Sequence, residues 1–484
     1  MILALLLIPT ITGAAAFLIK RSTVLKILLM GAALVHAACT ALLWHHPIAA
    51  PLPGQWLAVD APALLFLSIT SLLFLCTALY ACGYLTGRRN PVPSHYQTES
   101  AFIGYLLLFL ASMTLVIISQ HPGLLWVAVE ATTLVSAPLI FHHHSGHALE
   151  ATWKYLLICS VGIALALLGN FFLNVAASGG EGLFSMTFAN LMAHATALDA
   201  TWLKSAFILF LVGYGTKMGL APLHTWLPDA HSEAPSLVSA LLSGALLNCA
   251  FLAILRLHAL LVKAGLGHFS QSLLILFGLL SMFTAAIFII GQSDYKRMLA
   301  YSSVEHMGIL ALGAGFGAAA GFGTLLHAIN HSLVKTMLFL LAGNILAVYG
   351  SKSIDKIQAL NLRLPLTAAL WTAGFLAITG TPPFGVFLSK FMILKAGLTG
   401  GHAWAAALAL LAMTAIFIGL AMSIIKMVYT PRPAENPSDL PVRERTITLI
   451  PPLLLGLLAL GLGLYLPPAL KTLLIQAAHM LGLQ

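Results

Sequence analysis

Residues 217–235 read Lys-Met-Gly-Leu-Ala-Pro-Leu-His-Thr-Trp-Leu-Pro-Asp-Ala-His-Ser-Glu-Ala-Pro. Apolar helical sequence enters and leaves this stretch, yet it holds Pro222, Pro228, Pro235, His224 and His231, with Lys217 at its head. Proline removes a backbone donor and interrupts a helix. Inside a membrane such a break is tolerated where the freed backbone is buried in protein or lines a wet cavity. A second break, Gly380-Thr-Pro-Pro-Phe-Gly385, contains Pro382 and Pro383 and is followed by Lys390. Broken helices in matching places of two halves point to an ion site at a repeat interface.

The flanking sequence requires a bilayer. Of 484 residues, 60% are hydrophobic and 8% charged, whereas about a quarter of an ordinary soluble domain is charged. A helix needs roughly 20 apolar residues to cross the hydrocarbon layer. About fourteen such stretches can be marked, at 2–19, 25–44, 61–85, 101–119, 122–143, 149–176, 201–221, 235–262, 270–291, 297–316, 321–348, 364–396, 403–428 and 446–466. The expected fold is an all-α polytopic membrane protein. Met1–Ile19 lacks a basic leading segment and reads as the first span, not as a cleaved signal.

Several functions are excluded at this stage. The net charge of +9 is spread loop by loop, which gives no nucleic-acid face. Cys39, Cys76, Cys82, Cys159 and Cys249 stand singly in apolar segments, so a cysteine-ligated cluster or structural zinc is not expected. No glycine-rich nucleotide fingerprint is present. Neither cofactor nor metal is expected in this chain, and any redox chemistry would belong to another subunit.

Lys20, Arg21, Arg88, Arg89, Lys296, Arg297, Lys352, Lys356, Arg363, Arg432, Arg443 and Arg445 all fall in odd-numbered loops. The even loops 46–60, 177–200 and 317–320 are nearly free of Lys and Arg. Basic loops stay in the cytoplasm, which predicts both termini outside, in the cytoplasmic (inner) membrane of a prokaryote.

Among 14 Asp and Glu residues, only Glu130 and Glu305 sit within apolar helices. Lys154, Lys217, Lys335 and Lys390 are also found inside, with Lys395 one turn beyond. Each such charge costs about 2.5–3.5 kcal/mol on insertion scales, so its default reading is functional, against a structural ion pair or a snorkelling lysine. The set is ordered. Glu130, Lys154 and Lys217 precede one break, and Glu305, Lys335 and Lys390 surround the other at comparable intervals. Each set occupies about five spans, an odd number, so the halves should be inverted relative to one another. The expected organisation is a three-helix segment over 1–100, a first inverted repeat over 101–262, a second over 263–430, and a C-terminal helix and tail over 431–484. Each repeat would hold a half-channel.

His327, His331 and Lys335 follow at i, i+4 and i+8 and share one helix face. Imidazole titrates near neutral pH and can pass a proton between its nitrogens. A metal pair is the rival reading, but no further ligand lies in that span. His306 directly follows Glu305. His224 and His231 flank the first break as candidates for a gate or proton entry. His142, His143, His144 and His147 read as a solvated interfacial cluster, and Arg256 as an interface anchor.

These motifs carry a resemblance. The stretch 217–235 is similar to the seventh helix of the antiporter-like subunits shared by respiratory complex I, Mrp-type sodium/proton antiporters and energy-converting hydrogenases. Asp294-Tyr-Lys-Arg-Met-Leu-Ala-Tyr-Ser-Ser-Val-Glu-His-Met-Gly, the run His327–Lys335, and Thr381-Pro-Pro-Phe-Gly-Val-Phe-Leu-Ser-Lys390 resemble three more signatures of that family. The likeness runs from about residue 61 to 430. Val-Glu-His, Val-Glu-Ala-Thr-Thr-Leu and Ala-Leu-Glu-Ala-Thr-Trp-Lys-Tyr look most like component F of hydrogenase-4. The resemblance implies that Glu130 and Lys217 form the coupled pair of the first half-channel. Lys335 would be the central connection, and Lys390 would serve the second half-channel. Where the family usually has a Lys or His in the eighth span, this chain has Asn248, so the link would rely on water or on Ser239 and Ser243.

The function expected from the resemblance is a proton-translocating subunit of a redox-driven complex, hydrogenase-4-like or formate-hydrogenlyase-like. Its partners would be other antiporter-like and membrane-anchor subunits and a peripheral arm of [NiFe] hydrogenase-like and iron–sulfur subunits. The alternatives are a Mrp-type Na+/H+ antiporter subunit, a membrane subunit of a bicarbonate-accumulation module, and a vestigial scaffold. Moving Glu130 toward or away from Lys217 would switch the lysine's hold on its proton. Each switched pair would bias the next through the low-dielectric interior.

Overall fold

The computed structural model describes residues 1–45, 51, 54–86, 98–178, 185–430 and 442–483. Arg88, Arg89, Arg432 and parts of the 46–60 and 177–200 loops lie outside the described residues. The architecture is helical. Helices α1 (Ile2–Ala16), α2 (Ser22–Leu43) and α3 (Ala61–Thr86) come first. A second group comprises α4 (Glu99–Ile118), α5 (Pro122–Ile140), α6 (Gly146–Ser178), the short α7 (Phe188–Ala193), α8 (Ala200–Met218), α9 (Trp226–Glu233), α10 (Ser236–Leu241) and α11 (Leu247–Lys263). A third comprises α12 (Gly267–Ile289), α13 (Tyr295–Gly315), α14 (Ala318–Tyr349), α15 (Leu360–Arg363), α16 (Pro365–Thr379), α17 (Gly385–Thr399) and α18 (Ala403–Tyr429). Helices α19 (Thr446–Leu464) and α20 (Pro468–Met480) follow. Among the described residues the only β pairing is two isolated bridges, Leu57–Ser119 and Asp294–Ser353.

Ten helical stretches among the described residues are long and apolar enough to cross a membrane, against about fourteen expected. The others are shortened by the breaks or carry charge: α1 and α16 are apolar but short, and α13 holds Lys296, Arg297 and Glu305. The sequence 364–396, expected as one span, is divided into α16 and α17. The 235–262 stretch runs unbroken but contains one π-helical turn, Leu242–Leu246. The tail after 466 holds α20, which packs on α3 and α14. Its buried Leu473, Leu474, Ala477 and Ala478 recur at helical spacing.

Burial orders these helices. Every residue from Ser236 to Leu261 is buried, whereas α2, α6, α18 and α19 bury only about a third of their apolar windows. A helix that is apolar all round and enclosed by others forms the centre. The partly exposed ones present Leu, Ile and Phe outward, as a lipid boundary requires. Close approach fixes one contact: a Cβ on Gly278 of α12 would lie 2.8 Å from the Gly308 carbonyl of α13, and one on Gly308 would lie 2.7 Å from the Gly278 carbonyl. Small residues let membrane helices approach in this way.

Acidic side chains satisfy three helix starts. Asp199 accepts from the amides of Thr201 and Trp202, Asp294 from those of Lys296 and Arg297, and Glu444 from Leu366 and Thr367 at the start of α16. Each satisfies backbone donors that a helix leaves open. Both breaks follow a glycine in the left-handed region, Gly219 (φ +82°) and Gly380 (φ +88°), where a side chain would be strained. Freed groups at the first break are satisfied within the protein. The Trp226 indole donates to the Thr216 carbonyl at 2.8 Å, and the Ala221 amide donates to Ser281 Oγ at 2.9 Å.

The loops sort onto two faces. Loops around 229–234, 294–297 and 351–353 meet through Lys352–Glu233 (2.6 Å) and Ser232–Asp294 (2.8 Å). On the same face the Val442 amide bonds the Arg363 carbonyl. On the opposite face Asp60, Gln120 and Arg256 meet.

Candidate functional site

Helices α5, α6 and α8 enclose Lys217, whose side chain is fully buried. Its Nζ donates to Tyr155 OH at 2.6 Å and to Thr133 Oγ1 at 2.8 Å. It also lies 4.5 Å from the centre of the Tyr155 ring. Tyr155 OH shares a 2.6 Å hydrogen bond with Ser136 Oγ. Glu130, the expected partner of Lys217, is bonded elsewhere. Its Oε1 accepts from Ser160 Oγ at 2.8 Å, and its buried Oε2 has no partner. The two hydroxyls of Tyr155 and Thr133 take the place that a carboxylate was expected to hold.

Lys154 is not an interior charge. Its side chain is 45% exposed and pairs with Glu150 (2.6 Å) and Asp229 (3.0 Å) on α9. Arg297 pairs with the other oxygen of Asp229. Lys296 Nζ donates to the carbonyls of Ser232 (3.0 Å) and Ala234 (2.6 Å), closing the end of α9. The short helix after the first break, containing Pro228, is therefore clamped by charges from α6 and α13. Lys395 is exposed as well.

His224 and His231 are both buried. His231 lies flat against Phe339 at 5.1 Å, and neither of its ring nitrogens has a partner. Ser239 donates to the His231 carbonyl at 2.8 Å, and Ser243 bonds Ser303 of α13 at 2.8 Å. Asn248 Nδ2 donates to Ser332 Oγ of α14 and to the Gly244 carbonyl, while its buried Oδ1 has no partner. Ser239, Ser243 and Asn248 are thus bonded to backbone carbonyls and to hydroxyls of α13 and α14.

The second half is more tightly joined. Lys390 Nζ lies 3.1 Å from Glu305 Oε1, with both side chains buried. It also donates to the carbonyls of Ile378 (3.2 Å) and Thr379 (3.4 Å) at the end of α16, where a helix presents partial negative charge. His306 Nδ1 and His327 Nε2 share a 2.9 Å bond, and His327 Nδ1 bonds Ser389 Oγ at 2.9 Å. His331 packs on His306 with ring centres 5.0 Å apart. Both nitrogens of His327 are engaged in hydrogen bonds. The His327–His331–Lys335 row is modified by this stack: Lys335 Nζ donates to the Leu299 carbonyl of α13 at 2.9 Å.

Two further expectations change. Arg256 is not an interface anchor: it forms a buried two-point pair with Asp60 (2.7 and 3.0 Å), joined by Gln120. Among the four clustered histidines, His142 is buried against Phe102 at 4.6 Å, while His144 and His147 are exposed. Tyr155, Thr133, Ser136 and Ser160 escaped the sequence reading. The signal was present, since Glu130, Thr133 and Ser136 recur at helical spacing along α5.

Residues 119–418 match the NADH:quinone oxidoreductase/Mrp antiporter transmembrane family. The chain is 38% identical over 424 residues to the hydrogenase-4 component F homolog of Methylacidiphilum infernorum, covering 86% of this chain and 87% of that protein. Its fold is similar to a chain of the membrane-bound sulfane sulfur reductase, an archaeal respiratory membrane complex (TM-score 0.87, 25% identity, 99% and 98% of the two chains). It is also similar to a chain of the Mrp complex from Dietzia sp. DQ12-45-1b (TM-score 0.84, 20% identity, 98% and 96%).

Proposed function

We propose a function for a chain that belongs to the NADH:quinone oxidoreductase/Mrp antiporter transmembrane family: it translocates protons as an antiporter-like subunit of a redox-driven membrane complex of the hydrogenase-4 type. One observation carries the reading. Lys217, Lys335 and Lys390 are all buried, and buried hydroxyl, amide and imidazole groups bond one another across the centre, Ser243 with Ser303, Asn248 with Ser332, and His306 with His327 and Ser389. Lysines are rarely enclosed in this way without a role in ion passage.

In this reading residues 101–262 and 263–430 are inverted repeats, each with one half-channel. The repeat is not strict at its breaks, because Lys217 precedes the first and Lys390 follows the second. Glu130 and Lys217 serve the first half-channel, and Lys335 with the histidine stack connects it to Glu305 and Lys390. A proton reaching Glu305 removes the charge that holds Lys390, which then keeps only the α16 carbonyls. Buried charge pairs act on their neighbours through a medium that screens poorly, so a change in one half biases the other. His224 and His231 line the first break. The basic-loop face is cytoplasmic, in a prokaryotic inner membrane. Other antiporter-like subunits and a peripheral [NiFe] hydrogenase-like and iron–sulfur arm are the partners, and this chain supplies no cofactor.

The test is to purify the native complex, identify its soluble subunits and reconstitute it in vesicles. Acidification coupled to electron transfer, without sodium, supports the proposal. Sodium movement without any redox partner would replace it with the Mrp-type reading, and a zinc-protein partner with the bicarbonate module.

A further inference from the structure

Tyr155 has no assigned part in the pathway above, yet it makes the shortest hydrogen bond to Lys217. Its hydroxyl takes the ammonium at 2.6 Å and bonds Ser136 at 2.6 Å. Its ring lies 4.9 Å from the Trp226 ring at the start of α9. A buried tyrosine ordinarily packs as an apolar body with one satisfied hydroxyl. Here the hydroxyl addresses a buried cation and a second hydroxyl at once. The carboxylate that could compete stands close by: Glu130 is three residues before Thr133 on α5, about 4.5 Å along the helix. Glu130 Oε2 is buried without a partner. A lysine stem is long and flexible enough to cross that distance.

We propose that Tyr155 is a positioning residue of the first half-channel, its phenol holding Lys217 in one of two positions and Glu130 in the other. The neighbouring Lys154 connects this device to the break. Lys154 bonds Asp229 of α9, and Tyr155 packs on Trp226 of the same helix. Consecutive residues of α6 therefore grip α9 from the charged surface and from within. Displacement of α9 would move the phenol and release the lysine toward Glu130. This inference rests on the translocation reading.

The experiment uses the intact complex in vesicles, with redox-driven dye quenching, electron-transfer rate and subunit levels measured together. Tyr155→Phe keeps the ring against Lys217 and Trp226 and removes only the hydroxyl. The expected result is wild-type assembly with translocation lowered about tenfold, the scale of one charge-assisted hydrogen bond. Fluorinated tyrosine at 155 changes the phenol's acidity with little change of shape. It should displace the pH profile of translocation and guards against a Phe variant that fails to assemble. Phe translocating at the wild-type rate, or an unmoved profile with fluorotyrosine, overturns the proposal. Lys217→Ala separates the two levels: if it is silent while Tyr155→Phe is normal, only the tyrosine inference falls. If Lys217→Ala translocates normally, the underlying function falls with it.

Discussion

The ammonium of Lys390 lies 3.1 Å from the carboxylate of Glu305 with both side chains buried, whereas Lys217 rests on two hydroxyls and has no carboxylate contact. The two lysines are thus held in different ways in the same molecule. An alternating mechanism needs such a difference, since identical halves would have no preferred order of events.

Glu305→Gln should be the more damaging of two changes at this pair. It leaves Lys390 buried with carbonyls alone, and breaking a buried pair from one side costs about 3–5 kcal/mol. The double variant Glu305→Gln/Lys390→Met removes both charges and should regain much of the lost thermal stability without regaining translocation. Differential scanning fluorimetry of the purified complex measures the first, and dye quenching the second. A double variant less stable than Glu305→Gln alone would show that the pair is not a closed electrostatic unit.

At the first pair the expectation differs. Glu130 makes no contact with Lys217, so Glu130→Gln should leave stability within about 1 kcal/mol of wild type, as expected for changing one exchangeable polar partner. Translocation should nonetheless be lost in Glu130→Gln and in Lys217→Ala with assembly intact. Persisting translocation in both variants would remove the first half-channel from the mechanism.

Topology gives an independent check. Cysteines at Arg88, Lys356 and Arg443 should react with a membrane-impermeant thiol reagent only from the cytoplasm, and one at Lys263, exposed on the opposite face, only from outside. Reaction of any two of the first three from outside would reverse the orientation.

Much of this could be read from the residues alone. Apolar runs separated by basic loops give the helices, and proline with glycine marks both breaks, because those signals are local. Contacts between distant segments were less legible. Asp60 and Arg256 are 196 positions apart, each beside a loop, and nothing in either neighbourhood distinguishes a buried pair from two surface charges. Lys154 failed in the opposite direction. It follows a basic cluster at a helix end, and its apolar flanks hid an exposed position facing Asp229. Tyr155 was hidden by chemistry: in an apolar helix a tyrosine reads as core until the ammonium beside it is located.

Lys335 allows carrier and brace to be told apart. Its buried ammonium donates to the Leu299 carbonyl of α13 at 2.9 Å, one turn of α14 beyond His331 and Ser332. Neutral Lys335→Ala would interrupt the line in either case. Lys335→Arg retains the positive charge, but guanidinium does not release its proton in proteins. If Lys335 only braces α13 and α14 electrostatically, Arg should restore much of what Ala loses. If it carries protons, Arg should fail as badly as Ala. Lys335→Met keeps an unbranched apolar stem without the charge and separates loss of packing from loss of the ammonium; assembly of Lys335→Arg to wild-type level checks that the larger side chain is accommodated. Redox-driven acidification in vesicles, normalised to subunit level, reads all three variants. An Arg variant translocating near the wild-type rate would leave Lys335 as a brace and require the proton to cross between the halves through Ser243, Ser303 and bound water. An Arg variant as silent as Ala, in a complex assembled to wild-type level, would place the proton on Lys335 itself.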